Sequence, residues 1–161
     1  EQLSLLEGNL METNQTIVDI YSRYLFETEV IDTRADHAMS VDELKDAMLR
    51  AQEASYGDGL DPEIRHPYMW ACKSHYYSSG YNFYNFPYAF GELFAKGVFA
   101  QYLQKGAAFV PDYCRLLRSC GSGTIADVAA SVGIDVRNPD FWRSSLEVVK
   151  GNIDKFCELV K

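Results

Sequence analysis

The chain has 161 residues, 47% of them hydrophobic, and sets 15 Lys and Arg against 23 Asp and Glu for a net charge of −8. That length and apolar content support a folded domain with a sizeable core and leave no case for disorder. The acidic balance, with no Lys/Arg stripe, argues against a nucleic-acid partner, and no apolar run approaches the ~18 residues that a membrane span needs.

Residues 1–34 place Leu3, Leu6, Leu10, Ile17, Ile20, Tyr21, Tyr24, Leu25, Val30 and Ile31 at three- and four-residue steps, which predicts one long amphipathic helix. Ser40 with Glu43 reads as a capping box opening a second helix, on which Val41, Leu44, Met48 and Ala51 share a face until Gly57 stops it. Residues 57–67 read as loop, and a short helix is expected over 68–76, broken at Ser78-Ser79-Gly80. Pro87 then sets the start of another helix near Asn85, running to about Gln104, with Tyr88, Leu93, Phe94, Val98 and Leu103 as apolar faces.

Gly106 separates that helix from one expected over 107–119. Thr124 with Asp127 caps a short helix ending at Gly133, and Asn138-Pro139 starts a last one whose inward stripe is Phe141, Leu146, Val149, Ile153, Phe156 and Leu159. No alternating strand pattern competes, so the expected fold is all-α and multi-helical, with about seven helices and no repeat. Cys72, Cys114, Cys120 and Cys157 lie far apart without a C-x-x-C pair and are expected as reduced, mostly buried thiols of a cytoplasmic protein, with Cys72 facing the core. The N-terminal EQLSLLEGNL lacks the basic region of a signal peptide. It opens inside a helical pattern without Met, as expected for a piece of something longer.

Little in the chain has the form of a metal or nucleophile site. His37, His66 and His75 show no four-residue spacing, no H-E-x-x-H occurs, and no Cys/His cluster has zinc-ligand spacing, so no metal site is expected here. No G-x-S-x-G elbow is present either. Glu27 and Glu29, two apart on the first helix, read as solvated surface or ordinary salt bridges.

The informative stretch is WACKSHYYSSGYNFYNFPYAFGELFAKGVF, residues 70–99, where one histidine precedes a glycine turn and a run of aromatics. Tyrosine hydroxyls and an imidazole on one wall can grip a peptide backbone or stabilise an oxyanion, each being a polar group on a rigid apolar body. Tyr81, Tyr84 and Tyr88 fall at i, i+3 and i+7, so their hydroxyls share a direction if the turn before Pro87 is near-helical. The plainer use of such a pattern is core packing with hydroxyls at the rim, and for His75 a core imidazole satisfied by a backbone carbonyl.

The segment HYYSSGYNFYNFPYAFGELFA, residues 75–95, resembles a stretch near the C-terminus of oligoendopeptidase F and the related thimet-oligopeptidase-like zinc peptidases. SLLEGNLMETNQTIVDIYSRYLFETEV, residues 4–30, resembles the helix that follows the zinc-binding helices of that family, and GIDVRNPDFW, residues 133–142, resembles its closing segment. The resemblance implies that residues 1–161 are the C-terminal portion of the helical catalytic domain of a zincin-type oligopeptidase. Its zinc ligands, an H-E-x-x-H and a further Glu, would lie upstream, outside this chain.

The family implies that His75, Tyr81 and Tyr84 bind substrate, that Gly80 supplies a flexible turn, and that Tyr88 donates to the oxyanion. Asn85 stands where the thimet branch has another tyrosine, and Tyr77-Ser78-Ser79 lengthens the gap between His75 and Gly80; the resemblance leaves two alternatives, that Tyr84 replaces the missing hydroxyl or that nothing does. The implied partners are short peptides and the upstream part of the same protein; the implied cofactor is zinc in the intact enzyme, with none bound by these residues alone. The competing expectation is a non-catalytic helical module whose aromatic groove binds a peptide or partner helix.

Overall fold

A computed structural model describes residues 1–161, and it is all-α and multi-helical. No helix is long and apolar enough to cross a membrane. The residues divide into two compact units, one of 11–90 and the other of 1–10 with 91–161.

The first helical pattern folds as α1 (Gln2–Asn14), a π-helical turn (Gln15–Asp19) and α2 (Ile20–Arg34). Its extent matches the expectation; its faces do not. The wider turn shifts every later position around the axis, so Tyr21, Tyr24 and Ile31 are exposed while Phe26 and Glu27 are buried.

Within residues 11–90, Phe26 packs with Ala47, Met48 and Ala51 of α3 (Val41–Tyr56), and Leu25, Leu44, Met69, Trp70 and Tyr76 close around them. The capping box at the start of α3 is present. The Ser40 hydroxyl accepts from the Glu43 N–H at 3.3 Å, and Glu43 Oε2 accepts from the Ser40 N–H at 2.7 Å. Val41, expected on the inner face, is exposed. Beyond Gly57 the loop is tied back by the buried Gln52 amide, which donates to the His66 carbonyl at 2.9 Å and accepts from the His66 N–H at 3.3 Å.

The single short helix expected over 68–76 is two 3-10 turns, Met69–Cys72 and Ser74–Tyr77, parted by an extended Lys73. Trp70 and Tyr76 both lie against Phe26, with ring centroids 6.4 and 5.4 Å away. Six residues along an α-helix turn a side chain through about 240°, so one helix cannot offer both rings to one partner. The break also leaves Cys72 exposed rather than facing the core. Cys120 and Cys157 are exposed and Cys114 half-buried, so the four free cysteines are not the buried set expected.

In the other unit, residues 91–105 of α4 (Phe86–Lys105) pack with a 3-10 turn (Gly106–Phe109), α5 (Val110–Arg118), α6 (Ile125–Ala130) and α7 (Pro139–Leu159). Val98, Phe109, Leu116, Ala129, Val132, Ile134 and Phe141 form its core. The caps expected at Thr124 and Asn138 are present, each side chain accepting from the N–H of residue 127 or 140. The stripe expected along α7 is only partly inward: Phe141 is buried, but Leu146, Ile153 and Leu159 are exposed, as is Leu103 of α4.

At Gly97, α4 lies directly against Phe141 and Ser145 of α7. A Cβ there would stand 2.5 Å from the Phe141 ring and 2.7 Å from the Ser145 hydroxyl, and both residues are buried. Gly97→Ala is expected to cost a net ~1–2 kcal/mol, overpacking outweighing the better helix propensity of Ala; urea unfolding checks this, and equal or higher stability would contradict it.

Ser40's N–H foremost, then His37, pulls the Glu43 carboxyl from 4.5 down to about 2. A depressed carboxyl favours the folded state above its unfolded pKa and loses that contribution as pH falls through the folded one. The chain should therefore lose stability between about pH 4.5 and 2 through this group, and Glu43→Gln should flatten that part of an acid-unfolding curve; an unchanged curve would show that the cap does not carry it.

Candidate functional site

The site is built on the turn between the 3-10 segments and α4. Glu27, on α2 and 8% exposed, points its carboxylate at that turn: Oε1 accepts from the Phe83 N–H at 2.6 Å and Oε2 from Asn85 Nδ2 at 2.7 Å. Asn85, 3% exposed, uses its other amide atom at the start of α4, Oδ1 accepting from the Phe86 N–H at 2.7 Å. Phe83 has φ +54°, a left-handed conformation that costs a bulky residue ~1–3 kcal/mol and persists where surrounding bonds fix it. Its ring leans on Tyr24 at 5.9 Å.

Around that turn the aromatic residues gather. His75, half-buried, has its ring 5.3 Å from Tyr84, 6.0 Å from Tyr81 and 6.2 Å from Tyr88, the first two contacts edge-on. Tyr84 in turn lies 5.0 Å from Tyr81 and 5.7 Å from Tyr88. The three tyrosines are 49%, 41% and 44% exposed at positions 81, 84 and 88. By contrast, Tyr76 is turned inward and donates to the Arg23 carbonyl at 3.3 Å; burial above all, and Glu27's negative charge next, push its phenol well above the ordinary range.

The route to this cluster differs from the helical one expected. Tyr81 and Tyr84 bracket a hydrogen-bonded turn, Tyr84 N–H to the Tyr81 carbonyl at 3.0 Å, and α4 begins only at Phe86. The rings meet because the left-handed Phe83 folds the chain back. Gly80 lies in a turn as expected, exposed, facing open space and without a positive φ. The Tyr81 N–H closes a turn onto the Ser78 carbonyl at 3.0 Å through Ser79 and Gly80, so the special conformation belongs to Phe83.

Glu27 is the residue that the sequence reading missed. Glu29 does behave as surface, pairing with Arg50, but Glu27 falls seven residues after the buried Ile20 and therefore on the inward stripe of α2. That placement of a carboxylate was the available signal. No group of three or more His, Cys, Asp or Glu side chains lies together in a way that could hold a metal. The cluster offers instead one imidazole, able to donate or accept, and three phenolic hydroxyls on apolar bodies.

The chain is similar to oligopeptidase PepF of Bacillus subtilis (strain 168), with 27% identity over 105 residues, which are 65% of this chain. It spans about 15% of that relative's length. No family model matches, and no solved structure matches.

Asn85→Ala would strip one hydrogen bond from a buried carboxylate and one from the Phe86 N–H. Hydrogen bonds to charged groups contribute ~1.5–3 kcal/mol, so a loss of about 1.5–3 kcal/mol is expected. Denaturant unfolding measures it, and a loss below about 1 kcal/mol would mean that Glu27 finds its compensation elsewhere.

Proposed function

We propose that residues 1–161 are the C-terminal part of the catalytic domain of a zinc-dependent oligoendopeptidase, and that the His75 and tyrosine surface is one wall of the cleft that takes short peptides. The observation that carries this reading is a half-buried imidazole ringed by three half-exposed tyrosines. The similarity to an oligopeptidase supports it. The partner of this portion is then the upstream part of the same protein, which would supply the zinc ligands. Four free thiols, three of them exposed, suit a reducing compartment such as the cytoplasm.

In this reading His75, Tyr81 and Tyr84 bond the backbone of an extended peptide, Gly80 lies in the turn beside them, and Tyr88 is the catalytic donor. Hydrolysis of an amide adds water to the carbonyl carbon, and negative charge gathers on the carbonyl oxygen; a positioned hydroxyl stabilises that charge more than it stabilises the ground state. Backbone-directed hydroxyls carry no charge that would select among side chains.

In the intact protein, Tyr88→Phe should lower kcat about a hundredfold with little change in KM, because the lost bond forms mainly in the transition state. His75→Ala should raise KM, lower kcat or do both. Near-normal turnover in Tyr88→Phe would remove the oxyanion role, and unchanged kinetics in His75→Ala would remove the substrate role. A parent polypeptide without an upstream H-E-x-x-H, which binds short peptides and cleaves none, would make this surface a binding module.

A further inference from the structure

We infer that Glu27 is a positioning residue for the tyrosine wall, its carboxylate holding residues 83–85 in the one conformation that gathers Tyr81, Tyr84 and Tyr88 about His75. The inference rests on the peptidase reading above and adds to it a residue from α2, more than fifty positions away in sequence.

A buried carboxylate needs compensation. Glu27 forms none of the chain's ion pairs. Its hydrogen bonds both go to the turn, one to the Phe83 backbone and one to the Asn85 side chain. The pattern of donors is directional. The Asn85 amide cannot flip, because its oxygen is occupied by the Phe86 N–H, so its NH₂ must face Glu27 and position 27 must present two acceptors. Phe83, anchored through its own N–H with Asn85 anchored two residues on, is thereby kept at its positive φ. Without the carboxylate, the ordinary preference of a phenylalanine is a negative φ, which sends Tyr84 and the start of α4 in another direction.

This donor code gives a test that separates positioning from mere bulk or charge. Glu27→Gln sets an NH₂ against the Phe83 N–H or the Asn85 NH₂, and Asn85→Asp sets two carboxylates face to face. The double variant Glu27→Gln with Asn85→Asp restores every bond: the new amide oxygen at 27 accepts from Phe83, its NH₂ donates to the new carboxylate at 85, and the second oxygen there keeps the Phe86 N–H. Two readouts are needed, the NMR shifts of the His75 ring protons, which lie under the ring currents of three tyrosines, and peptide hydrolysis by the intact protein.

Either single variant should move the His75 resonances toward those of a free imidazole and lower kcat/KM about a hundredfold, the scale of a small misplacement of catalytic groups. The double variant should recover native shifts and most of the activity, even where a single variant fails to fold. A double variant as impaired as the singles, or a Glu27→Gln protein with native His75 shifts and kinetics, would overturn the inference. Displaced shifts with unchanged turnover would overturn the role in the reaction through the peptidase reading, leaving the clamp itself intact.

Discussion

Two hydrogen bonds from residues 83–85 to one buried carboxylate set the geometry on which the rest of the candidate site depends. Glu27 carries its charge out of water without a cationic partner, and the turn carries a phenylalanine at φ +54°. Each is unfavourable alone. Together they compensate, since the strained turn presents the Phe83 N–H and the Asn85 amide to the carboxylate at 2.6 and 2.7 Å. The same asparagine starts α4, so a single side chain links the α2 carboxylate, the turn and the helix that bears Tyr88.

The surface thus presented joins apolar area with polar tips. His75 touches all three rings edge-on or tilted, arrangements that aromatic quadrupoles favour. Tyr76, a neighbour of His75 in sequence, points the other way into the core with Phe26 and Trp70 and spends its hydroxyl on the Arg23 carbonyl. One short segment therefore both anchors its unit and supplies the imidazole. Neighbours on a 3-10 turn stand about 120° apart around its axis, so the turn that buries Tyr76 directs His75 elsewhere.

Much of the fold was legible in the sequence wherever local chemistry decides it. Ser40 with Glu43, Thr124 with Asp127, Asn138-Pro139 and the start of α4 at Phe86, beside Pro87, all lie where cap and proline rules place them, because those rules concern only a few adjacent atoms. What was not legible depended on partners distant in the chain. The π turn at Gln15–Asp19 rotates the face of α2 and hides Phe26 and Glu27 instead of Tyr21 and Tyr24. The pull of Phe26 on both Trp70 and Tyr76 splits the expected helix over 68–76. His75, Tyr81, Tyr84 and Tyr88 were recognisable as residue types suited to one wall, but their convergence needs the turn at Phe83, and that turn needs a carboxylate more than fifty residues earlier.

The most direct test of this account is native-state hydrogen exchange at the Phe83 amide. Residues 81–85 precede α4, and outside a helix or sheet an amide has no ladder to protect it. The account predicts that the Phe83 N–H, held by Glu27, exchanges orders of magnitude more slowly than the neighbouring Asn82 amide, and that Glu27→Gln abolishes the difference. Exchange at Phe83 as fast as at Asn82 in the native chain would contradict it.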